Sequence, residues 1–297
     1  MGSAIRSRWP GLAMVCATYV ALGGCGLLRR EPPVRKDDSE TRPTLSSNVL
    51  PTRHFELKTE SAAALARRDP RALLRRALDH YDREIRDYTC TFSRRERVHG
   101  RLSKQQVIHV RFREKPYSVR MLWVRNAKRA RRALYVEGRH RGSGGQELFI
   151  VDPAGAIARA LFGTVAIPVH GKRATASSRH TIDQFGFRWT LRRILQVNEK
   201  ADRAGVLGLR FAGEGSINGR PTFILERYLP EANPAYDNAF LVLHLDQTWL
   251  IPLSVRAYAD HKGSVLNEAY TYSAVHLNPG LGEASFLPCC GKSHKVP

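Results

Sequence analysis

From residue 106 to residue 277 the chain repeatedly places an apolar side chain at every second position, and turn-forming residues separate one such segment from the next. In "QVIHVRF" Ile108, Val110 and Phe112 point one way and His109 and Arg111 the other. In "YSVRMLW" Tyr117, Val119, Met121 and Trp123 alternate with Ser118 and Arg120. A period of two marks a strand with one buried face. The pattern continues through "ALYVEG", "ELFIVD", "GVLGLRFAG", "RPTFILERYL", "AFLVLHLD", "LIPLSVRAYAD" and "SVLNEAYTYSAVHL", with turns such as "HGRLS", "RGSGG", "INGRP" and "DHKGS" between them. So many strands on short turns predict a long antiparallel meander, which must curl or close to protect its edges. The expected class is mainly β (α+β), with Ile108, Val110, Phe112, Val119, Met121 and Trp123 as the candidate apolar face.

Two segments break the alternation. In "SAAALARRDPRALLRRALDHYDREIRDY" Leu73, Leu74, Ala77, Leu78, Tyr81 and Ile85 recur at three and four residues, and Asp69-Pro70 is suited to start a helix. The second, "DQFGFRWTLRRILQVN", gathers Phe187, Leu191, Ile194 and Leu195 on one side. No internal repeat is present, so residues 61–288 are expected to form one domain and residues 289–297 a short tail.

The N-terminal segment has a different logic. Arg6 and Arg8 precede the apolar stretch "GLAMVCATYVAL", and small residues and Cys25 follow. A positive start, a short apolar middle and small residues at the cut make a secretory signal over residues 1–24. The apolar run is shorter than the ~20 residues a membrane-spanning helix needs. Leu22-Gly23-Gly24-Cys25 resembles the bacterial lipobox, which implies lipidation of Cys25 and attachment to the membrane. A plain signal peptide is the alternative. Residues 25–60, polar and proline-bearing, would then form a tether. The expected location is the cell envelope, with Gly26 favouring the outer membrane facing the periplasm over the inner membrane.

The formal charge is +21, and loss of residues 1–24 removes two arginines and no acid, leaving +19. Such a balance favours polyanions: lipid head groups or an acidic polymer, with nucleic acid disfavoured by export. Between Arg86 and Arg141, 17 Lys or Arg face four acids, so one rim should be basic. Arg94, Arg95, Arg111, Arg113 and Arg120 are its candidates. Arginine bias with no partner is the competing explanation. In an oxidising compartment a disulfide from Cys90 to Cys289 or Cys290 would tie the start of the domain to its end.

The segment "DYTCTFSRRERVHGRLSKQQVIHVRFREKPYSVRMLW", with "ALYVEG", "SRHTIDQFGF" and the ending "YTYSAVHLNPGLGEASF", is similar to a bacterial family of exported proteins of unknown function, DUF1571-like. The similarity runs from Tyr88 to Phe286. The C-terminal third more distantly resembles the LolA/LolB-type lipoprotein carriers. This resemblance implies a half-open barrel covered by helices, with acyl chains or a lipoprotein held between sheet and helices. In the family pattern a cysteine stands where this chain has Arg220-Pro221-Thr222-Phe223, which leaves the pairing of Cys90 open.

Catalytic signatures are missing. "RGSGG" and "GEGSING" lack the glycine two residues before the serine of a nucleophile elbow. No phosphate loop, dinucleotide fingerprint or helical histidine pair occurs. His244 and Asp246 share a strand face, a pattern more typical of a surface hydrogen bond than of a metal site. The chain is therefore expected to be non-catalytic, with no cofactor and no metal. The leading expectation is a lipid-anchored binder of acyl chains or lipoproteins. The alternative is an envelope module that holds acidic polymers or protein partners on its basic surface, without a lipid cavity.

Overall fold

The computed structural model describes residues 60–288. Cys25, Cys289, Cys290, the signal, most of the tether and the C-terminal tail lie outside the described residues. Twelve strands form one open antiparallel sheet. They are β1 (Asp87–Val98), β2 (Arg101–Leu102), β3 (Gln106–Arg113), β4 (Ser118–Arg125), β5 (Ala130–Val136), β6 (Leu148–Pro153), β7 (Val165–Pro168), β8 (Gly208–Ile217), β9 (Arg220–Tyr228), β10 (Phe240–Asp246), β11 (Pro252–Tyr258) and β12 (Leu266–Leu277).

The expected single meander is two meanders joined at the centre. The order runs β7-β6-β5-β4-β3-β1-β12-β11-β10-β9-β8, and β2 pairs only with the end of β1. The seam between the two halves is the antiparallel pair of β1 and β12, with Phe92 opposite Tyr272, Arg94 opposite Tyr270 and Glu96 opposite Glu268. The physical reason for the correction is that a segment of helices and turns, residues 169–207, separates β7 from β8 and sends the chain to the other side of the first strand.

Helices line the concave face. Helix α1 (Ala62–Arg68) starts at Ser61, whose hydroxyl accepts from the Ala64 amide at 3.1 Å. Helix α2 (Pro70–Glu84) is capped by Asp69, which accepts from the Ala72 amide at 2.9 Å, with proline in the first turn. Short helices α3 (Ala156–Phe162) and α4 (Lys172–Thr175) flank β7. Helix α5 (Phe187–Arg203) buries Phe187, Leu191, Ile194 and Leu195, the stripe anticipated from the sequence. The expected partner of α2 is the sheet; it packs chiefly on α5 and also on β8.

The main core lies between the sheet and these helices. Tyr88 stacks on Phe112 at 4.7 Å between ring centroids, and Phe187 sits 4.5 Å from Tyr88 and 4.7 Å from Tyr272. Glycine is required at the start of α5: Gly186 has φ +110°, and a Cβ there would come within 2.9 Å of the Tyr88 hydroxyl. A second, small cluster of Leu134, Val136, Ile150 and Phe286 lies on the convex side of β5 and β6.

Candidate functional site

The concave face is not filled along its whole length. Beside the aromatic core, over β4 to β7, a cavity of about 350 Å³ remains between sheet and cover. Its floor carries Met121 and Trp123 from β4, Ala133 from β5, Phe149 and Val151 from β6 and Ile167 from β7. Small side chains, Ala130, Ala133 and Ala174, leave the space that larger ones would occupy.

The roof is an irregular segment between α4 and α5, and it is fastened rather than loose. The Tyr117 hydroxyl donates to the Phe185 carbonyl at 2.8 Å and accepts from the Phe185 amide at 3.2 Å. A 3-10 turn, Ile182–Gln184, is closed by a reciprocal capping box between Thr181 and Gln184. The roof thus has its own hydrogen bonds and does not need to fill the cavity to be held.

One end of the cavity is polar. Glu96 and Glu268 face each other across the seam, an arrangement that would be repulsive if left alone. The Tyr270 hydroxyl lies between them, 2.7 Å from Glu96 Oε1 and 3.2 Å from Glu268 Oε2. Arg179 Nε donates to Glu268 at 3.2 Å, and His180 Nε2 lies 3.1 Å from the same oxygen. Arg94 is 3.7 Å from Glu96 and donates to Gln106 at 2.7 Å and to Ser178 at 3.0 Å. Burial pushes the Glu268 carboxyl up, but the hydrogen bond from His180 and the charges of His180 and Arg179 outweigh it and hold it below the ordinary value. Burial and the two carboxylates drive the Tyr270 phenol well above its usual range. The phenol therefore stays protonated and serves as a donor.

His180 packs edge-on to Trp189 at 4.8 Å. With Tyr270 these rings border both this cavity and a second pocket of about 400 Å³ beside α5. That pocket is far more basic, with Arg179, Arg193, Lys200, Arg203 and Arg227 among its lining residues.

All six residues of the expected apolar face point into the concave side, but they divide. Met121 and Trp123 line the cavity, whereas Ile108, Val110, Phe112 and Val119 are at most 2% exposed and belong to the packed core. The expected basic rim of Arg94, Arg95, Arg111, Arg113 and Arg120 is not assembled. Only Arg94 borders the cavity; Arg95 and Arg111 are exposed. Arg113 donates to Glu283 at 2.6 Å and Arg120 to the Ser285 carbonyl at 3.2 Å, so both fasten the C-terminal turn to the convex side. The physical reason is the alternation itself: the period that turns Val110 and Phe112 inward turns Arg111 and Arg113 outward. The cations that do border the cavity with Arg94 are Arg129 and Arg173.

Cys90 is buried opposite Val110 and has no disulfide partner among the described residues, and burial pushes its thiol up. His244 and Asp246 have separate partners: His244 lies 3.0 Å from the Thr222 hydroxyl, and Arg220 donates to Asp246 at 2.8 Å. Among the described residues no group of three or more His, Cys, Asp or Glu side chains is placed to hold a metal ion.

A family model described as a protein of unknown function (DUF1571) matches residues 85–291, which take in every strand of the sheet and α3 to α5 but not α1 or α2. The chain belongs to this family. No curated protein sequence matches it. Among solved structures it is similar to MucB, at 16% identity and a TM-score of 0.46, over 74% of this chain and 62% of that one. The chain thus spans less than two thirds of MucB. It is also similar to the Mycobacterium tuberculosis lipoprotein LppX (14% identity, 72% of this chain and 98% of that one, TM-score 0.38). A LolA superfamily protein from Nitrosomonas europaea follows at 11% identity, 72% and 97% coverage and a TM-score of 0.30.

Proposed function

We propose that this protein is an exported envelope lipoprotein, anchored through lipid on Cys25, that binds an acyl chain of a lipid or lipoprotein between its curved sheet and its helical cover. The observation that carries this reading is the apolar cavity over β4 to β7. Its volume of about 350 Å³ falls within the range of small-molecule sites, roughly 300–1,000 Å³. Each methylene removed from water there contributes about 0.8 kcal/mol. A chain entering this space needs no reacting group from the protein, and binding alone is the activity proposed. An anchored domain serves as a local acceptor or chaperone rather than as a shuttle across an aqueous space.

Filling the cavity tests the reading. Ala133→Trp should abolish binding of a fluorescent fatty-acid probe to the full chain, at a cost in unfolding free energy of about 1–3 kcal/mol. Unchanged probe binding in a folded Ala133→Trp protein would sink it.

A second reading draws on the convex face, where Arg111, Arg120 and Arg132 gather with His109 and His276 around a shallow groove. This surface suits an acidic polymer or an acidic protein partner. Binding of such a partner would fall steeply with added salt, whereas an extracted acyl chain would remain bound.

A further inference from the structure

The basic pocket beside α5 contains a buried guanidinium with no salt bridge. Arg227 projects from β9 and is 4% exposed. Its hydrogen bond is a long one, from Nη1 to the Asn198 side-chain oxygen at 3.5 Å, and its Nε is buried without a partner. The two carboxylates that line the same pocket are engaged elsewhere. Asp237 accepts from Arg193 at 3.1 Å, and Glu268 is held by Arg179 and His180. Burial and the nearby Arg193 charge outweigh the attraction of Glu268 and Asp237 and lower the Arg227 pKa to about 10, so the guanidinium is still protonated at neutral pH.

A buried guanidinium with no salt bridge and one long hydrogen bond is costly to keep, and a strongly perturbed group that lines a pocket is a candidate for binding. The guanidinium fork matches the oxygen spacing of phosphate and carboxylate. Five cations and two carboxylates line this pocket, so the local field favours an anion. The pocket also shares His180, Trp189, Thr190 and Tyr270 with the apolar cavity. A molecule with a chain in the cavity and a head past these shared residues would occupy both.

We infer that the pocket around Arg227 is an anion site, and that it takes the phosphate or carboxylate head of the same amphiphile whose chain lies in the apolar cavity. The chain half of this inference rests on the proposed function, and the anion half does not. Arg227 supplies the fixed charge from the sheet. Arg193 and Lys200, on the exposed side of α5, supply the solvent-side charges.

The test titrates octyl phosphate, octanol and inorganic phosphate into the full chain held in nanodiscs of neutral lipid, at constant ionic strength. Octyl phosphate should bind at least about tenfold more tightly than octanol, the worth of one charge-assisted hydrogen bond. Arg227→Gln should remove that advantage and leave octanol binding unchanged. Lys200→Gln, at an exposed position that the core does not depend on, should reduce it by about threefold, as expected for a solvent-side charge; this keeps the test alive if Arg227→Gln fails to fold. Equal binding of octyl phosphate and octanol would overturn the anion site while leaving the chain reading intact. Inorganic phosphate binding as tightly as octyl phosphate, with octanol silent, would leave a site for a free anion and overturn the shared amphiphile. Silence of all three probes would overturn both.

Discussion

The concave face of this sheet is one surface with two outcomes. Over β1, β3 and β12 it is filled by Tyr88, Phe112 and Tyr272, with Phe187 of α5 pressed among them, all of them at most 4% exposed. Over β4 to β7 it is left open above Met121, Ala133, Phe149 and Val151. Both regions carry the same alternation. They differ in side-chain volume and in the cover: a regular helix with large aromatics on one side, an irregular segment above alanines on the other. An apolar face becomes core where the opposing surface can interdigitate with it, and a cavity where the cover is held at a distance by its own hydrogen bonds.

This contrast can be broken or sharpened by substitution. Phe187→Ala deletes the ring that joins both arms of the sheet to α5, and should cost about 3–5 kcal/mol in denaturant unfolding. A loss below about 1 kcal/mol would mean that the aromatic half is no better packed than the other. Met121→Ala removes a side chain that already faces open space, so its cost should fall below the roughly 2 kcal/mol at which buried Met truncations begin. A larger loss would indicate that the cavity is closed in solution.

The smallest effect concerns the polar end. Because the folded-state pKa of Glu268 is depressed, its stabilising contribution is present above the unfolded value of about 4.3 and is lost as pH falls through the lower folded value. Glu268→Gln should therefore show a flatter loss of stability than the parent protein when urea unfolding is compared at neutral pH and below about pH 4. Parallel curves would show that the carboxylate is not held by His180 and Arg179.

The strands from Gln106 to Arg125 and from Arg220 to Leu277 were legible because their alternation is clean. β1 was not, and its residues explain why. Tyr88, Cys90 and Phe92 turn inward, but the next inward positions are Arg94 and Glu96, so the apolar period stops halfway along the strand. The same two residues belong to the polar end of the site. The strand hardest to read is thus the one whose inward face changes from apolar packing to polar contacts. Glu268, Tyr270 and Tyr272 hold a similar sequence, carboxylate then aromatics at every second residue, and this was the available signal. What placed Glu268 opposite Glu96 is a pairing between strands about 170 residues apart, and no local pattern encodes it. Arg227 was hidden for a related reason: an arginine in a strand reads as surface until the helix above it is known. Cavity volume, too, depends on how far the roof stands from the floor, a distance set by the Tyr117–Phe185 bonds.

The β1–β12 seam has a consequence in time. Loop-closure entropy must be met before a distant pairing can contribute, and β12 is the last strand along the chain. The middle of the sheet is therefore completed after both of its arms have partners of their own. During synthesis β1 would wait with one side unpaired until nearly the whole domain has emerged. A truncation before Leu266 would divide this protein down its centre instead of trimming it at an edge.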